Sequence, residues 1–239
     1  MAKNRVGYKH KTTAKNLTII YYTSNRERED FEQKIRSKLL EAIGDKPLIS
    51  VSQKSIDFGH NICIGDVGAS YHNEYRQIEI GAKEAKTKYV ALAESDMLYP
   101  PGYFDFEPQN DLYIYNNFWI LRCFNKHLFV RKEYGDALMI IRRTFLLERL
   151  KLVLAERPEF CNIRLRGSIV KPPEWKNFDV GIPVISVKTK RGMSLNTGVM
   201  GRVEPEHKLP YWGSATDLSN YLDLFTLSHE GRDNEMPIA

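Results

Sequence analysis

Two carboxylates, Glu94 and Asp96, stand one residue apart at the end of an apolar run, in the stretch YVALAESDMLYP at 89–100. Paired acids at this spacing suit a hard divalent cation. Mg2+ or Mn2+ takes one or two carboxylates and completes its shell with water and phosphate oxygens. Such an ion neutralises a diphosphate leaving group. The spacing by itself says little, because acid–any–acid recurs at 27/29, 30/32, 105/107, 204/206 and 233/235. Those pairs lie in charged or proline-rich surroundings, where a solvated surface pair is the plainer reading. The pair at 94/96 directly follows an apolar run of strand length. Its competing reading is a turn-stabilising or helix-capping pair.

A second set of polar residues, Thr23-Ser24-Asn25-Arg26, follows another apolar run, LTIIYYT at 17–23. A capped loop there offers backbone N–H groups and a guanidinium to a nucleotide. Ser52-Gln53 ends a third run, PLISVS at 47–52.

These groups must be positioned by regular elements, and the sequence shows which. LTIIYYT is β-branched and aromatic, and reads as a buried strand. Ser24 and Glu27 have capping-box spacing and predict a helix start. Phe31, Ile35, Leu39 and Ile43 recur every four residues up to Gly44. Residues 53–68 read as a loop, followed by a helix over about 70–86 with Tyr71, Tyr75, Ile78, Ala82 and Ala85 on one stripe. Strand–helix–strand–helix–strand at this spacing predicts crossover units of a parallel sheet. Ligands bind such sheets outside the carboxyl ends of the strands. Residues 23–26, 52–53 and 94–96 should therefore share one edge. Beyond them, DLYIY, WILRC and LFVR read as a meander. A helix is expected near 144–157, a strand at PVISV and a short helix near 217–226.

Composition sets the outer bounds. A chain of 239 residues with 42% hydrophobic content can bury a real core as one large domain. The expected division is a flexible basic arm at 1–16 and one domain at 17–239, with halves at 17–104 and 105–239. No apolar run is long enough for a membrane helix. Three scattered cysteines form no zinc spacing and suggest a reducing, cytoplasmic location. The net charge of +5 suits an anionic partner. Its clusters are the arm, Arg142-Arg143, Arg164 with Arg166, and Lys188-Lys190-Arg191.

The segment YRQIEIGAKEAKTKYVALAESDMLYPPGYF, 75–104, resembles the core of family-2-like glycosyltransferases of the GT-A fold. Arg76-Gln77, Gly81, Ala85, YVALA and Glu94-Ser95-Asp96 carry the likeness. LTIIYYTSNRE resembles that family's first strand, and EYGDALMIIRRTF, 133–145, resembles its acceptor-side segment. The resemblance covers about residues 17–150. It implies an α/β fold with a Rossmann-type mixed sheet flanked by helices. It also implies a nucleotide-diphosphate sugar donor, with a UDP-sugar expected.

On this reading Glu94 and Asp96 hold the cation, with His207 a further candidate ligand and His229 behind it. Thr23, Ser24, Asn25, Arg26, Gln53, Arg76, Glu94 and Ser95 surround the nucleotide. Asp136 is the candidate base, with Glu159 and Asp179 as alternatives. The sequence departs from the family in three ways. Its motif begins with Glu, SVSQKS replaces the usual acidic pair, and the usual Glu-Asp dipeptide has no match after 150. For the acceptor, the basic charge points to DNA carrying a hydroxymethylated base, with Trp175, Tyr211 and Trp212 as stacking candidates. A surface glycan is the alternative acceptor. A non-catalytic nucleotide or nucleic-acid binding module is the alternative class.

Overall fold

The run LTIIYYT forms β1 (Leu17–Thr23), buried at every position. A strand covered on both faces has no need to alternate apolar and polar residues, which explains the unbroken run. The computed structural model describes residues 16–122, 127–132, 135, 137–154, 160, 174–192 and 205–224. After β1 come α1 (Glu29–Ile43), β2 (Leu48–Ser52), β3 (His60–Cys63), α2 (Tyr71–Glu84) and β4 (Tyr89–Glu94). Next are β5 (Met97–Leu98), β6 (Leu112–Tyr115), β7 (Phe118–Arg122), β8 (Leu128–Lys132), β9 (Met139–Arg142) and α3 (Arg143–Leu154). The series closes with β10 (Lys176–Phe178), β11 (Val184–Lys188), β12 (Lys208–Leu209), β13 (Gly213–Ser214) and α4 (Ala215–Tyr221).

The fold is α/β. Its large sheet has the order β10-β6-β9-β4-β1-β2-β3. Neighbours run parallel except where β9 lies antiparallel to β4 and β6. From β1 the chain builds outward through β2 and β3, then returns to place β4 on the other side of β1. The order therefore reverses between β1 and β4. A crevice opens at such a switch point, outside the carboxyl ends of the strands. A second sheet, β5-β11-β7-β8, adjoins the first.

Helix α2 packs on β1 and β2 and against α3. Of its expected stripe, Tyr75, Ile78, Ala82 and Ala85 are buried, whereas Tyr71 in the first turn is exposed. Helix α1 bridges two cores. Phe31 and Ile35 join the cluster of the second sheet, whereas Leu39 and Ile43 join that of the large sheet.

Three local expectations differ from the structure. The stretch expected to be a loop at 53–68 contains β3, an edge strand whose residues are half-buried or exposed and so lack an apolar signal. The meander does not form: β6 belongs to the large sheet, whereas β7 and β8 make a hairpin in the second. Helix α1 begins at Glu29 behind Arg28, with no side-chain cap, so Ser24 and Glu27 do not form a capping box. The halves at 17–104 and 105–239 also share the large sheet, since β6, β9 and β10 come from the second half.

Among the described residues no helix is long and apolar enough to cross a membrane.

Gly81 shows how closely α2 lies on the sheet. A Cβ added there would meet Ile20 Cγ2 at 2.5 Å. Alanine ordinarily stabilises a helix interior by about 1 kcal/mol over glycine. Here overpacking should reverse the sign. We expect Gly81→Ala to cost roughly 1–3 kcal/mol, read as a lower urea midpoint at an unchanged m-value.

Candidate functional site

The register Tyr22↔Glu94 places the ends of β1 and β4 side by side at the switch point. The Tyr22 hydroxyl donates to Glu94 Oε1 at 3.1 Å. Beyond Glu94 the chain turns through Ser95 and Asp96 and enters the second sheet as β5. The acidic pair is thus the corner between two sheets. Val187 N–H donates to the Asp96 carbonyl at 2.7 Å, which fixes this corner to β11.

A cavity of about 370 Å³ lies over this corner. From the loop after β1 it takes Ser24, Arg26 and Glu27; from β2, Gln53; from the corner, Glu94, Ser95 and Asp96. The start of α2 contributes Ser70, Tyr71, Asn73, Glu74 and Gln77. The second sheet and the segments around it add Phe118, Lys132, Gly135, Lys188 and Arg191. A second hollow of about 390 Å³ shares Ser24, Arg26 and Gln53 and adds Asn25, Lys54 and Asp66. Helix α2 is capped by Ser70, whose hydroxyl accepts from Asn73 N–H at 3.1 Å. The positive end of its dipole, at Ser70, Tyr71 and Asn73, borders this space.

Charge is unevenly distributed over the acidic pair. Lys188 Nζ lies 3.2 Å from Asp96 Oδ2, while Asp96 Oδ1 is buried with no hydrogen-bond partner. Burial, reinforced by the neighbouring Asp96 charge, holds the Glu94 carboxyl well above the usual carboxylate range. The Asp96 charge raises Lys188. Glu27 also turns inward. Its carboxylate accepts from Thr189 Oγ1, its Oε2 is buried without a partner, and burial raises its pKa.

The structure brings together Ser24, Arg26, Gln53, Glu94, Ser95 and Asp96 from the expected set. Asn25 lies in the adjoining hollow, with its Oδ1 accepting from Gln53 N–H (2.9 Å) and Lys54 N–H (2.8 Å). That side chain staples the loops after β1 and β2. Gln53 does similar work: its amide donates to the Gly68 carbonyl at 2.8 Å and accepts from Val67 N–H at 3.2 Å. Thr23 is buried below the site and donates to Glu32 Oε1 at 2.9 Å. Arg76 is paired with Glu79 at 2.9 Å and does not line the cavity. His207 is exposed beside β12, away from the cavity lining.

Asp136, Glu159 and His229 lie outside the described residues. Asp179 accepts from the Tyr115 hydroxyl at 3.0 Å, a structural bond. Trp212 donates its indole N–H to the Pro183 carbonyl at 2.6 Å, and Trp175 packs on the main core. Tyr211 is exposed. None of these three aromatics lines the cavity, whose own rings are Tyr22, Tyr71 and Phe118.

Sequence reasoning missed Glu27, Lys132, Lys188 and Arg191. Glu27 carried a helix-capping signature that outweighed its nearness to a strand end. Lys188 and Arg191 read as part of a basic cluster suited to an anionic partner, not as residues of this cavity. The available signal was their position just past PVISV, at a strand end like those already singled out.

No protein-family model matches the chain, and no curated protein matches it. Solved structures similar to it include S. aureus TarS 1–349 in complex with UDP-GlcNAc, at 11% identity and TM-score 0.45, covering 73% of this chain and 59% of that one. The same protein in complex with UDP is 10% identical, with TM-score 0.44 and coverage of 73% and 61%. The bifunctional IspDF from Campylobacter jejuni is 10% identical, with TM-score 0.39 and coverage of 67% and 52%. The chain spans 37% to 61% of the TarS chains it matches. The likeness is one of coarse layout.

Glu32 forms the floor beneath Thr23 and is 1% exposed. Burial outweighs its bonds to Thr23 and Arg36 and lifts its carboxyl from 4.5 to about 7. The folded pKa lies above the unfolded one, so folding favours the protonated form. Its contribution is full below about 4.5 and is lost as pH rises through about 7. We expect Glu32→Gln to gain on wild type between pH 4.5 and pH 8.5, by on the order of 3 kcal/mol, in denaturant melts at both pH values.

Proposed function

We propose that the protein transfers a sugar from a nucleotide-diphosphate sugar, with a UDP-sugar as donor, to a hydroxyl acceptor, aided by Mg2+ or Mn2+. The observation that carries this reading is the convergence at one switch-point cavity of an acidic pair, a helix N-terminus and several cationic side chains. A diphosphate bridged to a hard cation needs both signs of charge side by side. A neutral ligand needs neither.

The residues fit a divalent cation. Asp96 Oδ1 is a buried carboxylate oxygen with no hydrogen-bond partner, and Glu94 stands one residue away. Among the described residues no cluster of three His, Cys, Asp or Glu side chains could hold a metal. The remaining positions would be filled by water and phosphate oxygens, as is usual for Mg2+. When bound, the cation would neutralise charge on the leaving diphosphate. The chain's own groups do the rest. The positive end of the α2 dipole attracts the phosphate oxygens. Arg26, exposed at the mouth, and Arg191 supply charge-assisted hydrogen bonds. The hollow beside Ser24, Asn25 and Lys54 takes the base. Walls of Phe118, Lys132 and Gly135 face the sugar and the acceptor. Asp136 follows Gly135 directly, which supports it as the group that takes the acceptor proton. His207 is exposed outside the cavity lining and takes no part in this reading.

Duplex DNA with a hydroxymethylated base is the acceptor that the net charge of +5 puts first. Two of its supporting cations are turned to protein carboxylates: Arg142 to Asp111 at 2.9 Å, and Lys188 to Asp96. The basic arm and Arg164 with Arg166 lie outside the described residues.

Saturating UDP-sugar with Mn2+ should raise the melting temperature by on the order of 5–10 °C. Asp96→Ala should remove the Mn2+-dependent part and abolish transfer while the fold persists. Full activity in that variant would sink the assignment. Nucleotide binding with neither sugar transfer nor donor hydrolysis would make the protein a binding module. Transfer to hydroxymethylated but not unmodified duplex, with binding that falls by about 0.9 log units per log unit of salt for each phosphate contacted, would establish the DNA acceptor. Transfer to a free or lipid-linked glycan would replace it.

A further inference from the structure

Asp96 already has a cationic partner, and that partner comes from another sheet. Lys188 ends β11, and Ser186 of that strand pairs with Met97. Val187 N–H donates to the Asp96 carbonyl at 2.7 Å. These backbone bonds hold Lys188 and Asp96 on adjoining rungs. The ammonium lies 3.2 Å from Asp96 Oδ2, with the two side chains only 15% and 19% exposed. Both line the cavity. A divalent cation drawn to Asp96 Oδ1 would sit within a few ångströms of that ammonium. In a partly dry site such like-charge repulsion is severe. The lysine stem is flexible, however, and its point charge has no fixed fork to break. The same cavity offers it a second anion whenever a diphosphate is present.

We propose that Lys188 is an exchangeable counter-ion: it neutralises Asp96 in the ligand-free protein and moves to the nucleotide's diphosphate when a divalent cation takes Asp96. The inference rests on the nucleotide-sugar reading of the cavity. It adds a competition that the reading does not require. The cation alone must displace the lysine from Asp96 without supplying it a new anion. The cation with a diphosphate gives the lysine a new partner. The two ligands are then coupled through one side chain, and linkage makes the coupling reciprocal. Lys188 acts here as a positioning residue for charge, with no proton transferred.

The test titrates MnCl2 alone, UDP alone and UDP in saturating MnCl2 into wild type, Lys188→Met and Lys188→Arg by calorimetry. In Lys188→Met, Mn2+ alone should bind at least ten-fold tighter than in wild type, and UDP in Mn2+ at least ten-fold weaker. Lys188→Arg should keep Mn2+ binding near the wild-type value. Should Lys188→Met fail to fold, the wild-type protein gives a second readout: the rate of Lys188 acetylation by an acylating reagent, followed by mass spectrometry. Mn2+ alone should raise that rate, and Mn2+ with UDP should lower it again. Wild type that binds Mn2+ and UDP, but shows unchanged Mn2+ affinity in Lys188→Met or an acetylation rate indifferent to Mn2+, overturns the exchange alone. Wild type that binds UDP under no condition overturns the reading of the cavity, and the exchange with it.

Discussion

The parallel pairing of β1 with β4 is the constraint on which the rest depends. Its register runs from Leu17↔Tyr89 to Tyr22↔Glu94. It sets the end of one strand against the end of the other, at the point where the sheet order reverses. Burial drives the pairing, since every residue of β1 and all of β4 except Glu94 is buried. A shift of one residue would turn every side chain to the opposite face. It would also part Tyr22 from Glu94, whose carboxyl the Tyr22 hydroxyl meets. The buried sheet centre thereby aims polar groups that it does not itself contain.

From that centre, polar side chains lock the surrounding loops. Gln77 on α2 donates from its amide to the Thr23 carbonyl at 2.8 Å and the Val51 carbonyl at 2.9 Å, tying together the ends of β1 and β2. Asn25, with φ at 51°, accepts from two backbone N–H groups of the next loop. Left-handed backbone is rare outside glycine, and Asn tolerates it better than most residues. Of these two, Asn25 was expected to contact the ligand. Their bonds show a different service: they hold the rim on which Ser24 and Arg26 stand. Preorganisation of this kind lowers the ordering cost of binding.

The second sheet completes the site. The chain leaves the large sheet at Glu94 and enters β5 at Met97, so the acidic corner belongs to both sheets. Strand β11 is bonded to the corner and delivers Lys188, while Thr189 just beyond it meets Glu27. The raised carboxyls of Glu94 and Glu27 follow from the same cause. They are acids crowded into a space with little water, which disfavours their charged forms. Beside them Asp96 is paired with Lys188.

How much of this was legible beforehand depended on the range of the interaction that decides each feature. The elements read at 17–23, 47–52, about 70–86 and 89–93 followed from local apolar pattern, because burial on one face or both fixes which residues repeat. The α/β fold and an edge shared by residues 23–26, 52–53 and 94–96 were expected from those elements by the rule for parallel sheets, and of these Thr23 and Ser52 are buried beneath it. Edge strand β3 did not, because an exposed edge has no apolar pattern to read. The start of α1 was misjudged because Glu27 is bound by Thr189, 162 residues away, rather than by the helix it precedes. The sequence alone could mark Glu94 and Asp96 as carboxylates at a strand end. Only tertiary structure could pair Asp96 with Lys188 and bury Glu27 beside them, since each outcome is set by contacts between segments with no local signal for one another.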